Sequence, residues 1–385
     1  VRKFDFIMFF SIVLTLYLAI NYYVFRRGWE AIPHGSSWRD VYLAVFLLLS
    51  FSFLAGRFLE RASMTWFSHL LVFLGSFWLA ALALFVIIIL TIDFLRLVNA
   101  IVPFFPSFIT ADYVRTRTVM ALAVTGVVFL TVLAGHINAL HPRVRILDLT
   151  IHKHSNPLKT LNIVVASDIH LGTIIGRPRL ERIVEKISAL NPDIVLLPGD
   201  VFDEDIGPVI KQNLGDTLRK IKAKFGVLAV PGNHEYIGGV EEACRYLTEH
   251  GVTVLRDSII GIDNSVTIIG REDLSYNRAA RRPRKTLREL MAGVDTSRPV
   301  IVMDHQPFHL EEAAASGVDF QISGHTHHGQ IWPFNFITRR VYELSWGYMR
   351  KGETQYYVSC GVGTWGPPVR TGNRPEIVNI RLQFD

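Results

Sequence analysis

Aspartate, histidine and asparagine recur along the C-terminal part of this 385-residue chain in a pattern that could hold metal ions. In order, the motifs are Asp168-Ile-His170, Gly199-Asp200-Val-Phe-Asp203, Gly232-Asn233-His234-Glu235, His305 within Asp-His-Gln-Pro, and Gly324-His325-Thr-His327. Imidazole nitrogens with carboxylate and carboxamide oxygens, and no thiolate, suit Mn²⁺, Fe or Zn²⁺ rather than calcium. Asp168, His170, Asp200, Asn233, His305, His325 and His327 are too many ligands for one ion that keeps open positions. They fit two divalent ions about 3.5–4 Å apart that share a carboxylate. Such a pair would acidify a bridging hydroxide for in-line attack on phosphorus and would stabilise charge on the phosphoryl oxygens. Any one motif is a weak signal, since Gly-Asp and Gly-His pairs are common in turns. The signal lies in five motifs in series, nearly all at the ends of apolar runs.

Those residues need a scaffold that brings them to one edge. Short β-branched runs over 161–166, 193–197 and 226–230 alternate with helical spacing over 177–190 and 209–225. This alternation predicts parallel β-α units. Further short strands are expected at 252–255, 266–269, 299–303 and 320–322, with two more in the tail at 355–358 and 377–382. Two mixed sheets stacked face to face with helices outside accommodate this order. In open α/β sheets ligands bind beyond the carboxyl ends of the strands, where the motifs fall.

The motif set resembles the calcineurin-like metallophosphoesterase superfamily over roughly 158–385. The stretch from Gly324 to Gln330 and the tail from Gly361 to Pro368 are further similar to a bacterial membrane-associated branch. The resemblance implies a four-layer α-β-β-α sandwich. It also implies that Asp168, His170, Asp200 and His327 hold one metal, while Asp200, Asn233, His305 and His325 hold the other. By the same resemblance His234 protonates the leaving oxygen and Asp203 orients it. The chemistry agrees, because an alkoxide leaving group needs a proton at neutral pH and histidine is poised to give one. Two divalent ions, Mn²⁺ first and Fe or Zn²⁺ otherwise, are the expected cofactors. His328 stands where the branch often has glycine and is not expected to be a ligand.

The first third of the chain has a different composition. Four apolar segments, over 4–25, 41–59, 66–91 and 118–140, approach or exceed the roughly 20 residues that cross a hydrocarbon core of about 30 Å. Tyr22, Tyr23, Trp29, Trp38 and Trp66 at the segment ends suit an interfacial belt. The expected organisation is therefore a four-helix transmembrane region over 1–140, a linker over 141–157 and an α/β domain over 158–385. A multi-pass protein of the cell membrane follows, with the bilayer as its partner. Arginines and lysines divide evenly between the two faces, so they do not orient it. The loop over 94–117 carries apolar residues suited to the interface. No charge sits in mid-span, which disfavours an ion pathway.

The net charge of +6 is spread along the chain, so no basic stripe marks nucleic acid as a partner. The nearest candidate, Arg278, Arg281, Arg282, Arg284 and Lys285, reads as one solvated loop. Cys244 and Cys360, far apart, exclude a disulfide framework. The expected activity is hydrolysis of a phosphodiester, pyrophosphate or phosphomonoester presented on a lipid or lipid-linked headgroup. The alternatives are a tethered esterase for soluble substrates and a membrane sensor without turnover. Trp332, Phe334, Trp346, Trp365 and Arg370 are candidates to shape a headgroup pocket.

Overall fold

The computed structural model describes residues 3–385. The chain divides into two compact units, Val1–Ala134 and Gly135–Asp385. In the first, helices α1 (Lys3–Ala31), α2 (Trp38–Ala62), α3 (Trp66–Ile101) and a short α4 (Ser107–Ala111) precede α5 (Tyr113–Ala139), whose last turn enters the second unit. Among the described residues three helices, α2, α3 and α5, are long and apolar enough to cross a membrane, rather than the four expected. The remaining span, expected over 4–25, is helical within α1 but begins on residues whose side chains lie outside the described ones.

The helices also run further than the apolar segments suggested. The stretch expected as an interfacial loop from 94 is helical to Ile101, because no helix breaker occurs before Pro103 and Asp93 pairs with Arg96 one turn on. At its start, Thr65 and Ser68 form a reciprocal capping box. Helices α2 and α3 pack closely, and Gly75 lets the Phe53 backbone approach to where a side chain would stand. Inside the bundle the Asn21 carboxamide oxygen accepts from Ser50 Oγ and from Trp78 Nε1, each at 2.9 Å. That polar knot joins α1, α2 and α3 where water cannot compete.

The second unit holds two six-stranded sheets. Their strands in chain order are β1 (Arg143–Ile151), β2 (Thr160–Val165), β3 (Ile194–Pro198), β4 (Val227–Val230), β5 (Val252–Val254), β6 (Ser258–Ile262), β7 (Val266–Gly270), β8 (Val300–Met303), β9 (Phe320–Ser323), β10 (Gly347–Lys351), β11 (Thr354–Val358) and β12 (Glu376–Phe384). One sheet has the order β1-β12-β2-β3-β4-β5 and the other β10-β11-β9-β8-β7-β6. Period-two burial assembles the layers. In β3, Ile194 and Leu196 face the core between the sheets, with Ile268, Ile301 and Phe320 opposite. Val195 and Leu197 face outward onto Leu180 and Ile183 of α6 (Arg177–Ser188). A separate cluster, with Ile269, Val300, Val302 and Leu310, covers the outer face of the second sheet. The four-layer α-β-β-α sandwich is thereby built.

Three local expectations need correction. The stretch read as a linker over 141–157 supplies β1, which runs parallel to β12 with alternate residues exposed. Its burial alternates as in a half-buried edge strand, but its polar residues Arg143, Arg145, Asp148 and Thr150 do not alternate in step with it, and that disguised it. The helix expected over 209–225 breaks into α7 (Gly207–Lys211) and α8 (Leu214–Leu218), because Asn213 between them takes a left-handed backbone. Arg284 does not belong to a solvated loop. It is buried and its guanidinium donates to both Asp304 carboxylate oxygens at 2.8 Å.

Candidate metal centre

Parallel pairing sends β2, β3 and β4 in one direction, and β8 and β9 are likewise parallel in the second sheet. Each strand ends just before a motif. Asp168 and His170 follow β2, and Asp200 and Asp203 follow β3. Asn233 and His234 open α9 (Asn233–Gly238) after β4, His305 follows β8, and His325 and His327 follow β9. The backbone turns sharply at these ends. Asp168, His170, Asp200, His325 and His327 all have positive φ, from 46° to 72°. Such a conformation costs a non-glycine residue of order 1–3 kcal/mol, and it persists where surrounding structure holds it for function. Room is made by glycine: a Cβ on Gly199, at φ 88°, would lie 2.3 Å from His305 Nδ1. One on Gly324 would lie 2.3 Å from an Asp168 carboxylate oxygen.

Two clusters gather these candidates. In one, His170 Nε2 lies 3.0 Å from His327 Nε2, and His327 Nε2 lies 3.7 Å from Asp168 Oδ1. In the other, His305 Nε2 is 3.2 Å from Asp200 Oδ2 and 3.2 Å from Asn233 Oδ1. His325 stands with Asp200 and His305 closely enough for one ion to touch all three. Asp200 Oδ2 is also 3.8 Å from His170 Nε2, so this carboxylate reaches toward both clusters. The geometry thus brings together all seven sequence-derived candidates, Asp168, His170, Asp200, Asn233, His305, His325 and His327.

The clusters suit cations on their donor chemistry. His305 Nδ1 donates to the Pro198 carbonyl at 2.8 Å, which aims Nε2 at two oxygens that can only accept. Burial works against charge on His305, yet Asp200 holds its imidazole well above the usual range. Burial likewise opposes ionisation of Asp200, but His305, His234 and His170 keep it below the ordinary carboxylate range. Asp168 is pushed up by its burial. His325 is pushed down to about 3 by burial and by His305, and burial with His170 and Arg370 holds His327 well below the usual value. Asp200, His325 and His327 thus already take the forms a divalent ion requires, ionised carboxylate and neutral imidazole, whereas His305 and Asp168 would have to release protons to bind one.

His234 forms a third group with Asp203 and His170, its ring centroid 4.6 Å from that of His170. Its Nδ1 is 3.5 Å from Asp203 Oδ1, which is also 3.8 Å from His170 Nδ1. Burial lowers the His234 imidazole, but Asp203 and Asp200 outweigh it and push it up to about 9. Its backbone N–H donates to Asp200 Oδ1 at 2.9 Å, which ties its position to the shared carboxylate.

Several supporting groups escaped the sequence reading. Glu235 is buried and accepts the backbone N–H groups of Asp200, Phe202 and Gly232 at 3.1, 2.9 and 2.7 Å, fastening two motif loops to each other. The adjacent Gly-Asn-His-Glu motif was the available signal. Asp304, the residue before His305, is held by Arg284 and Arg271, and nothing in the sequence spacing joins those three. Of the pocket candidates, Arg370 does not line an opening. It is fully buried, donates to the Gly363 carbonyl and the Asn373 carboxamide, and places Nη2 3.1 Å from His327 Nδ1. Trp346 is tied inward by its bond to Glu376, and His328 bonds Ser345 rather than joining a cluster. Trp332 and Phe334 are exposed. Trp365 is exposed too, with its ring 6.1 Å from that of His234.

Comparisons with known proteins agree with this geometry. The family model described as calcineurin-like phosphoesterase matches residues 161–329. A Danio rerio protein named transmembrane protein with metallophosphoesterase domain is 31% identical over 69% of this chain and 63% of its own length. The chain therefore spans less than two thirds of that relative. An uncharacterized metallophosphoesterase of Campylobacter jejuni is 29% identical over 98% of this chain and 99% of its own. One from Aquifex aeolicus is 32% identical over 66% of this chain and 98% of its own length. On the motifs, their placement and these relatives together, the chain belongs to the calcineurin-like metallophosphoesterase family.

Proposed function

We propose that this chain is a membrane-bound, dinuclear-metal phosphoesterase that hydrolyses a phosphodiester, pyrophosphate or phosphomonoester bond on a lipid or lipid-linked headgroup. The observation that carries the chemistry is the convergence of two carboxylate–imidazole clusters on Asp200 at the strand ends. Asp168, His170, Asp200 and His327 would hold one divalent ion, and Asp200, Asn233, His305 and His325 the other. Mn²⁺ is favoured, with Fe or Zn²⁺ compatible with the same donors. Bound there, the ions would supply Lewis-acid charge at the phosphoryl oxygens and activate the attacking water. Asp200 sets the spacing of the two halves. His234 gives its proton to the oxygen on which the P–O bond breaks, and Asp203 holds the ring for that transfer. Trp365, exposed beside His234, offers an apolar face to the leaving group.

Presentation of the substrate by a membrane is supported by the helices long enough to cross one. The test uses the full-length chain in detergent with added Mn²⁺. A phosphoester carried on a diacyl lipid in mixed micelles and a water-soluble ester with the same headgroup are compared. The expected result is a kcat/KM at least tenfold higher for the lipid-borne ester, falling as the surface is diluted with neutral detergent. Equal turnover of both would replace this reading with a tethered esterase for soluble substrates.

A further inference from the structure

The membrane unit contains a feature that the esterase chemistry does not use. A cavity of about 1580 Å³ lies among α1, α2, α3 and α5, wholly within the first unit. This exceeds the roughly 300–1,000 Å³ of a small-molecule pocket. Its walls change character along the helices. Phe46, Trp78, Phe85 and Val124 give it an apolar floor. Its rim falls where α1 and α3 end and α5 begins, and there the lining is charged.

At the rim Arg27, Arg96, Arg115 and Arg117 stand against Glu30, Asp93 and Asp112, a surplus of one cation. Asp93 pairs with both Arg27 and Arg96, and Glu30 with Arg26 and Arg27. Arg115 and Arg117 have no ion pair among the described residues, although both line the cavity. Arg117 lies over the Tyr113 ring at 5.1 Å, and its Nε is shielded from solvent without a hydrogen-bond acceptor. A buried guanidinium N–H left unmade is costly, and a phosphate oxygen is the acceptor that suits it.

Depth agrees with this assignment. With 36 residues α3 is about 54 Å long, against a hydrocarbon core of about 30 Å. If Trp66 marks one boundary, the other falls near residue 86, and Asp93, Arg96 and Asn99 lie from about 10 to about 20 Å beyond it along the helix, on the polar side of the hydrocarbon core. From Arg117 down to Val124 is about 10 Å along α5, within the roughly 15 Å of a single leaflet.

We propose that the helices enclose a binding site for one anionic diacyl phospholipid, with its phosphate on Arg117 and Arg115 and its acyl chains along Phe46, Trp78 and Phe85. This site is independent of catalysis. Its lipid is recognised whether or not the esterase turns that lipid over.

The test is native mass spectrometry of the full-length chain in mild detergent. Phosphatidylglycerol and phosphatidylcholine of identical acyl composition are supplied at equal mole fraction. One phosphatidylglycerol per chain should be retained, with at least a tenfold preference over phosphatidylcholine. Arg117→Gln should remove the preference, Arg115→Gln should weaken it, and Val124→Trp should displace the lipid by filling the floor. Arg281→Gln, on an exposed loop of the second unit, should change nothing, and Asp200→Asn should retain the lipid fully. Glycerol 3-phosphate should not compete. Equal retention of the two lipids, or an unchanged preference in both arginine variants, would overturn the proposal. Displacement by glycerol 3-phosphate would overturn it too, since it would mark a site for soluble phosphate. Because the assay reads binding rather than turnover, its failure is separable from failure of the proposed esterase reaction.

Discussion

The strand-end site and the helical bundle use buried polar groups in opposite ways. At the strand ends, seven polar side chains from five segments crowd together at 3–4 Å, most of them on strained backbone. Their placement is destabilising by itself and makes sense only for a ligand that compensates it. In the bundle, the polar groups Asn21, Ser50 and Trp78 satisfy one another within the chain and need no ligand. Closely packed apolar surface does the rest around that knot, although at the cavity rim Arg117 Nε has no hydrogen-bond acceptor among the described residues. A region whose polar groups are mutually satisfied tolerates changes that preserve shape, whereas one organised around an ion tolerates almost none at its donors.

The sharpest break should come from the shared carboxylate. Asp200→Asn keeps the volume and removes the charge that both clusters approach. Activity should fall about a thousandfold or more, and elemental analysis should find fewer than two metals per chain with the melting temperature nearly unchanged. Retention of both metals with full turnover would refute the division of the site. A smaller loss separates proton donation from metal holding. His234→Gln should lower kcat by about a hundredfold while leaving metal content intact. Loss of metal in that variant would instead make His234 a ligand. Smaller again is Gly199→Ala, which forces a Cβ to within 2.3 Å of His305 at a positive φ. It should cost about 1–3 kcal/mol, read as a lower denaturation midpoint together with weaker metal retention.

The same contrast explains what the sequence revealed. That the seven candidate donors would converge was legible because nearly all of them stand at the end of an apolar run, and a strand's end is fixed by its burial pattern. The sheets were legible where both faces are buried, as in β3, whose five residues are all inside. They were obscure where one face meets water, as in β1, and where a left-handed residue such as Asn213 interrupts a helical pattern. Glu235 showed itself only as a neighbour in a motif, since its work is to collect N–H groups from two loops 30 residues apart in sequence. Arg370 stood as a candidate for the headgroup pocket because composition says nothing about depth. Fully buried, it donates to carbonyls that close around it and lies against His327. In the bundle, apolar length located the helices, but their ends were set by capping and by the first proline, which an average hydropathy does not register.

The mildest prediction tests whether shape alone governs the bundle. Gly75 and Gly126 both lie in long apolar helices and neither has a positive φ. A Cβ on Gly75 would stand 2.2 Å from the Phe53 backbone nitrogen, a rigid neighbour that can yield only by moving α2 away from α3. A Cβ on Gly126 would meet nothing within 4 Å. Gly75→Ala should therefore destabilise the full-length chain in detergent by about 1–3 kcal/mol, the range for overpacking a close-packed interface. Gly126→Ala should be neutral or stabilise by up to about 1 kcal/mol through helix propensity. Both variants should keep their two metals, because Asp200, His305 and the other donors hold positions fixed by the strands of the second unit. Equal melting temperatures for the two variants would mean that α2 and α3 can separate at no cost. A loss of metal in Gly75→Ala would mean that packing in the bundle reaches the donors, and the division into a self-satisfied region and a ligand-organised one would fail.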